Sequence, residues 1–77
     1  MMSTTIGVEM HHRSRRNGYV NVTEMTTGWS ATVLIVNRVV YGLTLTTDLD
    51  EAEEFFTEYY KEIAELSLNA WLDTCPP

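Results

Sequence analysis

The feature that most constrains the fold is residues 47–72, TDLDEAEEFFTEYYKEIAELSLNAWL. Apolar side chains recur in this stretch at steps of three and four residues, the spacing that puts them on one face of an α-helix. The members of this predicted apolar face are Ala52, Phe55, Phe56, Tyr59, Ile63, Leu66 and Ala70. The pattern predicts one amphipathic helix over about residues 48–72.

A second stripe of the same helix is made of glutamates at steps of three, four, four and three residues. This glutamate stripe consists of Glu51, Glu54, Glu58, Glu62 and Glu65. Carboxylates three or four residues apart on a helix repel by about 0.2–0.5 kcal/mol per pair, so the four successive pairs oppose the helix by about 1–2 kcal/mol. Only Lys61 is placed to relieve them. The stripe is therefore either a solvated face that favours solubility or a surface retained for a basic partner.

Four segments that precede the helix have the pattern of β-strands. In the first, Ile6, Val8 and Met10 alternate with smaller or polar residues, which is the period of a half-buried strand. The third becomes apolar on both faces, as expected for a central strand covered on both sides. The predicted strands are residues 5–11, 19–25, 29–36 and 39–46.

The connections between these segments are short enough for hairpins. Asn17 and Gly18 predict a turn because both residues tolerate positive φ, and Asn37 with Arg38 forms a two-residue link. The sequence thus predicts an α+β fold in a single domain over residues 1–77. Its architecture is a four-stranded antiparallel meander followed by one long C-terminal helix, ββββα.

The charge of the chain is unevenly distributed. Its net charge is −6, yet residues 1–47 carry two acids and four arginines, whereas residues 48–77 carry nine acids and one lysine. The acidic half disfavours nonspecific binding to nucleic acid or to an anionic membrane and favours basic protein surfaces. We expect no direct contact with nucleic acid and no membrane span, because no run approaches about 18 apolar residues.

Residues with catalytic or ligating chemistry are few. His11 and His12 are neighbours on a predicted strand, so their side chains point to opposite faces and cannot share a metal ion. Cys75 lies beside Asp73 rather than in the electropositive setting that a reactive thiolate needs. No phosphate-binding glycine motif occurs. We therefore expect no catalytic residue, no metal ligand, no cofactor and no enzymatic activity.

The cysteine usage and the first residues bear on the compartment. A single cysteine cannot build a disulfide framework, which fits a reducing cytosol. The first ten residues contain Glu9 and no apolar core of a signal peptide. We expect a cytoplasmic protein.

The loop HHRSRRNG is a secondary candidate for binding. Arg13, Arg15 and Arg16 lie within four positions, and Tyr19 follows. Arginines beside a stacking aromatic side chain can contact RNA or single-stranded DNA. Three charges at the tip of a hairpin are also an ordinary solvated turn.

Part of the chain resembles the β-β-β-α domain of HicB-type antitoxins. The resemblance runs through GYVNVTE, WSATVLIV and TTDLDEAEEFFTEYYKEI, and Thr47, Asp50, Glu51 and Ala52 are placed similarly to the acidic T-x-x-E-A start of that family's helix. It implies a module that neutralises a small basic toxin.

The chain is also similar in type to phage-encoded inhibitors such as anti-CRISPR proteins. The shared features are small size, acidity, a few strands with one helix, and a carboxylate-striped surface. This resemblance implies a viral protein that occupies a positively charged, nucleic-acid-binding channel of a CRISPR effector complex. Of the two resemblances we favour this one, with the glutamate stripe as the contact surface.

The length of the predicted helix generates a prediction about self-association. About 24 residues span roughly 36 Å, whereas a strand of five or six residues spans about 17–20 Å. The last helical turns are therefore expected to overhang the sheet, with Leu68, Trp71 and Leu72 as the candidate dimer interface. We expect a second copy or another protein to pack on this end. Analytical ultracentrifugation tests the homodimer, and a strict monomer at high concentration would contradict it.

Overall fold

The chain folds into four strands followed by one helix in a computed structural model that describes residues 6–48 and 50–74. The strands are β1 (Ile6–His12), β2 (Gly18–Glu24), β3 (Ser30–Val36) and β4 (Val39–Leu45), and the helix is α1 (Asp50–Thr74). The sheet order is β1-β2-β3-β4 and every neighbouring pair is antiparallel. The predicted ββββα meander is confirmed, with boundaries that differ from the predicted ones by at most two residues.

The sheet has one covered face and one open face. Alternate side chains of the strands point toward α1, and the fully buried ones form the core together with residues of α1. The buried apolar side chains of the strands are Val20, Val22, Ala31, Val33 and Ile35. On the other face Leu34 is 43% exposed and Tyr41 is 76% exposed. The expectation that β3 is covered on both sides is therefore wrong, because the single helix covers only one face.

Hydrogen bonds fix the junction between β4 and α1. The Ser30 N–H donates to Thr47 Oγ1 at 2.8 Å, and the Thr46 N–H donates to the Ser30 carbonyl at 2.8 Å. The Ser30 and Thr46 hydroxyls are also 2.8 Å apart. Since three hydroxyl side chains and the backbone are tied together here, the direction in which the chain enters α1 is set by the start of β3.

The helix docks on the sheet through four buried residues, which are Ala52, Ile63, Ser67 and Trp71. Trp71 is 0% exposed, and its ring lies 4.1 Å from that of His12 between centroids. Thr74 Oγ1 lies 3.3 Å from Met10 Sδ and 3.3 Å from His12 Nε2. The expected overhang at this end is therefore wrong, because the last turns of α1 are seated on β1 and β2.

The candidate dimer interface changes accordingly. Trp71 belongs to the core of the monomer and Leu68 packs against that core, whereas Leu72 is 43% exposed. Trp71 is thus unavailable to a second copy, contrary to its assignment from the sequence. A dimer contact at this end stays a prediction that depends on Leu72.

The hairpin between β1 and β2 differs from the predicted turn at Asn17 and Gly18. The loop covers residues 13–17, and the Arg13 and Ser14 N–H groups both donate to the Asn17 carbonyl, at 3.0 and 2.9 Å. Gly18 is already part of β2 and has no positive φ. A Cβ on it would lie 2.3 Å from Trp71 Cη2 and 2.4 Å from the His11 carbonyl oxygen. Glycine is needed here for the close approach of Trp71.

The hairpin between β3 and β4 forms at the predicted residues. Val36 pairs with Val39 across the link of Asn37 (φ 55°) and Arg38 (φ 64°). Both residues are left-handed, the geometry that matches the twist of two antiparallel strands. The left-handed Asn37 is as predicted, and Arg38 adopts the same conformation although its side chain disfavours it.

The contact between Gly18 and Trp71 generates a stability prediction. We expect Gly18→Ala to lower the free energy of unfolding by about 1–3 kcal/mol, because the new methyl group overlaps the indole and a backbone carbonyl. The control is Gly42→Ala, whose Cβ would meet Leu34 Cβ at an ordinary 3.9 Å. That variant should be neutral or slightly stabilising, since alanine is less flexible than glycine in the unfolded chain. Urea unfolding measures both, and equal losses would contradict the packing described.

Candidate protein-binding surface

The glutamate stripe is a continuous acidic surface along α1. All five of its residues are exposed. None of the five carboxylates forms an ion pair with another residue in the described part of the chain. Lys61, the one cation of α1, forms no ion pair with the stripe, which is therefore open to a partner.

An apolar groove runs beside the stripe. Its volume is about 490 Å³, and it is bounded by one side of α1, the start of β1 and the connection between β2 and β3. Its apolar lining residues are Ile6, Trp29, Phe55, Tyr59, Ile63 and Leu66, and its polar ones include Glu24, Thr27 and Glu62. We call this site the α1 groove. Glu62 belongs to both surfaces, so the stripe and the groove are continuous.

The groove exists because α1 is rotated about its own axis, so that its large apolar residues do not face the sheet as their spacing predicts. Phe55, Tyr59 and Leu66 were expected in the core, but they are 42%, 36% and 39% exposed. The sheet instead receives Ile63, Ser67 and Trp71. Ser67 is fully buried, and its hydroxyl donates to the Ile63 carbonyl at 2.7 Å. A small side chain with a satisfied hydroxyl lets the helix approach the sheet closely, which leaves the larger residues at the edge.

The aromatic side chains on this edge are ordered by contacts with each other. The Phe55 and Tyr59 rings stack with centroids 5.3 Å apart and planes inclined by 14°. Across the groove, Trp29 is 2% exposed, and its indole Nε1 is buried with no hydrogen-bond acceptor in residues 6–48 or 50–74. The groove therefore combines an apolar lining with one unsatisfied donor on a residue of its wall.

Glu24 organises the connection that forms one end of the groove. Its carboxylate accepts hydrogen bonds from the Thr27 hydroxyl, from the Thr26 N–H at 2.9 Å and from the Thr27 N–H at 2.6 Å. These bonds, that of the Thr27 hydroxyl first, lower the pKa of Glu24 from 4.5 to about 2. The Glu24 carbonyl also accepts from the Gly28 N–H at 2.8 Å. The ionised carboxylate thus stabilises this turn through its hydrogen bonds.

The four arginines of the chain lie in two loops at the opposite end of the sheet. Arg13, Arg15 and Arg16 are in the exposed β1–β2 loop, and the Arg38 N–H donates to the Arg16 carbonyl at 2.9 Å. Beside them His11 stacks on Tyr19 with ring centroids 4.6 Å apart. This basic end lies where the last turn of α1 contacts His12, so its positive charge also complements the negative end of the helix dipole.

Sequence reasoning missed three residues of these surfaces. Arg38 was not grouped with the other arginines, although the first and third connections of an antiparallel meander lie at the same end of the sheet. Trp29 and Glu24 were assigned to strands without a role in a site. Glu24 is the last residue of β2, and Thr-Thr-Gly follows it after Met25, which is a signal for a side chain that caps its own turn.

The two neighbouring histidines lie on opposite faces of the sheet. His11 lies on the open face of the sheet and His12 packs on Trp71 on the covered face, so the two imidazoles are separated as expected. In the described ranges, no group of three or more His, Cys, Asp or Glu side chains is arranged to hold a metal ion. Cys75 lies outside the described residues.

Comparison with known proteins does not assign the chain to a family. No family model, curated protein or solved structure matches the chain. Of the helical residues described, none belong to a helix long and apolar enough to cross a membrane.

The hydrogen bonds of the Glu24 carboxylate generate a prediction about how the stability of the fold depends on pH. Because the pKa of this carboxyl is lower in the folded chain than in the unfolded one, its stabilising effect is complete above pH 4.5 and is lost as the pH falls toward 2. We expect Glu24→Gln to lower Tm at pH 7 and the Tm difference from wild type to shrink between pH 4.5 and 2. Thermal unfolding followed by circular dichroism measures it. A difference that stays constant over this range would contradict the assignment.

Proposed function

We propose that the chain is a non-enzymatic inhibitor that covers a basic, nucleic-acid-binding surface of a partner protein. The glutamate stripe on α1 supplies the contacts. In its mode of action it is similar to small acidic phage-encoded inhibitors of the anti-CRISPR type. We place it in the cytoplasm, that of the host cell if a phage encodes it.

The observation that carries this proposal is the exposure of all five carboxylates along one side of a 25-residue helix. Their mutual repulsion costs about 1–2 kcal/mol, and Lys61, the one cation of α1, forms no ion pair with any of them. A basic partner removes that repulsion on binding, so part of the electrostatic gain comes from relief of strain that the free chain already carries. Alternating charges would give solubility without this cost.

The spacing of the carboxylates can be compared with the spacing of phosphate charges in nucleic acid. Five charges over fifteen residues give about one charge per 4–5 Å of helix axis. Duplex DNA carries one charge per about 1.7 Å of axis and a single strand one per about 3.4 Å. The stripe is thus nearer to a single strand, and it suits a groove that holds single-stranded nucleic acid better than one that holds a duplex.

A second candidate function is direct binding of nucleic acid through the basic end. It is favoured by the hydrogen bond between the Arg38 N–H and the Arg16 carbonyl, which places the two arginine-bearing loops side by side at the end of the sheet where His11 stacks on Tyr19. Stacking platforms flanked by arginines bind single strands. The net charge of −6 opposes this function, and for that reason we rank it second.

The two candidates predict opposite results for two double variants. In a pull-down from cells that contain the partner, Glu54→Lys with Glu58→Lys should weaken capture of a nucleic-acid-binding protein by roughly tenfold or more, since two attractive charges become repulsive. Arg15→Ala with Arg16→Ala should leave capture unchanged. Capture should survive nuclease and fall with rising salt, and the chain should compete with nucleic acid for the captured protein.

The reverse pattern would make the basic loop the site. If the arginine variant abolishes binding, nuclease releases the partner and the glutamate variant still binds, the acidic stripe is not the contact surface. If the captured protein is instead a small basic toxin that the stripe neutralises, the antitoxin function implied by the HicB-like segment applies.

A further inference from the structure

We propose that the α1 groove receives an apolar side chain from the same partner segment whose lysines or arginines contact the glutamate stripe. This inference rests on the proposed function and specifies the partner's chemistry. The bound segment carries an aromatic or large aliphatic residue with basic residues on both sides.

The first argument is the apolar surface that the groove leaves exposed. Phe55, Tyr59 and Leu66 stand at its edge with Ile63 and Trp29 behind them. The volume of about 490 Å³ is within the range of about 300–1,000 Å³ that is typical of pockets that bind small molecules and side chains. In protein interfaces, most of the binding energy comes from a few anchor side chains that are buried in such pockets.

The second argument is charge complementarity at the rim. Glu62 lines the groove, and Glu58 and Glu65 lie one helical turn from it on the same side of α1. An apolar residue that enters the groove therefore brings its neighbours within reach of three carboxylates. A segment with acidic flanks is repelled, whereas one with lysine or arginine flanks satisfies both surfaces at once.

The indole of Trp29 provides a means to detect an occupant of the groove. Its side chain lines the groove, and Nε1 is buried with no acceptor in the described structure. The Trp71 Nε1 is likewise buried without an acceptor in the described residues, but its side chain lies in the core and does not line the groove. The two indole N–H groups therefore distinguish an event in the groove from one in the core.

The glutamate stripe and the α1 groove affect different steps of binding, namely association and dissociation. Carboxylates on the rim steer a basic segment toward the helix and raise the association rate. Burial of an apolar side chain slows dissociation, which is where most differences in affinity between related complexes arise. The stripe alone would bind many basic surfaces, and the groove selects among them.

The probes that test this are two blocked peptides of equal charge, Lys-Lys-Phe-Lys-Lys and Lys-Lys-Ala-Lys-Lys. Each is titrated into the ¹⁵N-labelled full chain while its two indole N–H resonances are followed, one from Trp29 and one from Trp71. We expect the phenylalanine peptide to shift the Trp29 resonance and to leave that of Trp71 in place. It should bind about tenfold tighter than the alanine peptide, the ratio expected when a benzyl group leaves water.

Two matched variants locate the contact. Leu66→Ser removes an apolar residue of the groove, whereas Leu72→Ser removes a similarly exposed leucine of α1 that lies outside it. Leu66→Ser should abolish the preference for phenylalanine without changing the affinity for the alanine peptide, and Leu72→Ser should change neither. Urea unfolding of both variants confirms that each is folded under the conditions of the titration.

The outcomes distinguish a failure of the groove from a failure of the stripe. If both peptides bind equally, shift the backbone amides of residues 51–65 and leave Trp29 unmoved, the groove inference is overturned and the proposed function stands. If the phenylalanine peptide shifts Trp29 equally well in the Glu54→Lys, Glu58→Lys variant, the groove binds without the stripe and the proposed pairing is overturned. A Trp29 shift that follows protein concentration alone would place a second copy in the groove and overturn the inference.

Discussion

The docking of α1 on the sheet through Ser67 and Trp71 is the interaction on which the rest of the structure depends. A helix whose glutamates repel by about 1–2 kcal/mol is not stable on its own. Burial of about 200 Å² of a tryptophan at about 25 cal/mol/Å² contributes up to roughly 5 kcal/mol, which exceeds that repulsion. Gly18 is the matching feature of the sheet, since any larger residue would displace the indole. The acidic stripe is therefore retained only because the opposite side of the helix is anchored.

The architecture was predictable because its signals are local. Alternation of apolar residues identifies four strands, and steps of three and four residues identify the helix, so order and type follow from the sequence. The role of Gly18 was not predictable, because Asn17 and Gly18 have the sequence of a tight turn and the need for glycine comes from Trp71, more than fifty residues away. The same distance explains the wrong assignment of Trp71 to an interface: the length of α1 was estimated correctly, but its position along the sheet was not.

The acidic stripe could be predicted from the sequence and the α1 groove could not. Exposure of Glu54 or Glu58 follows from spacing, since carboxylates rarely enter a core. The groove arises from a rotation of the helix about its axis, which depends on Ser67 being small enough to face the sheet. A pattern that counts only large apolar residues places Phe55 and Leu66 inside and overlooks a buried serine. The site was thus missed because a polar residue with an internally satisfied hydroxyl took a core position.

The position of the groove decides how selective an acidic helix can be. Exposed charges are screened within about 8 Å at physiological salt, so a stripe of carboxylates distinguishes basic surfaces poorly. Shape adds discrimination only if the walls are fixed before binding, because ordering them on contact would cost conformational entropy. Here one wall belongs to a helix held by Trp71 and by its junction with β4, and another is the turn braced by Glu24. The groove is therefore preorganised, and an apolar side chain that fits it gains affinity which a merely basic surface does not.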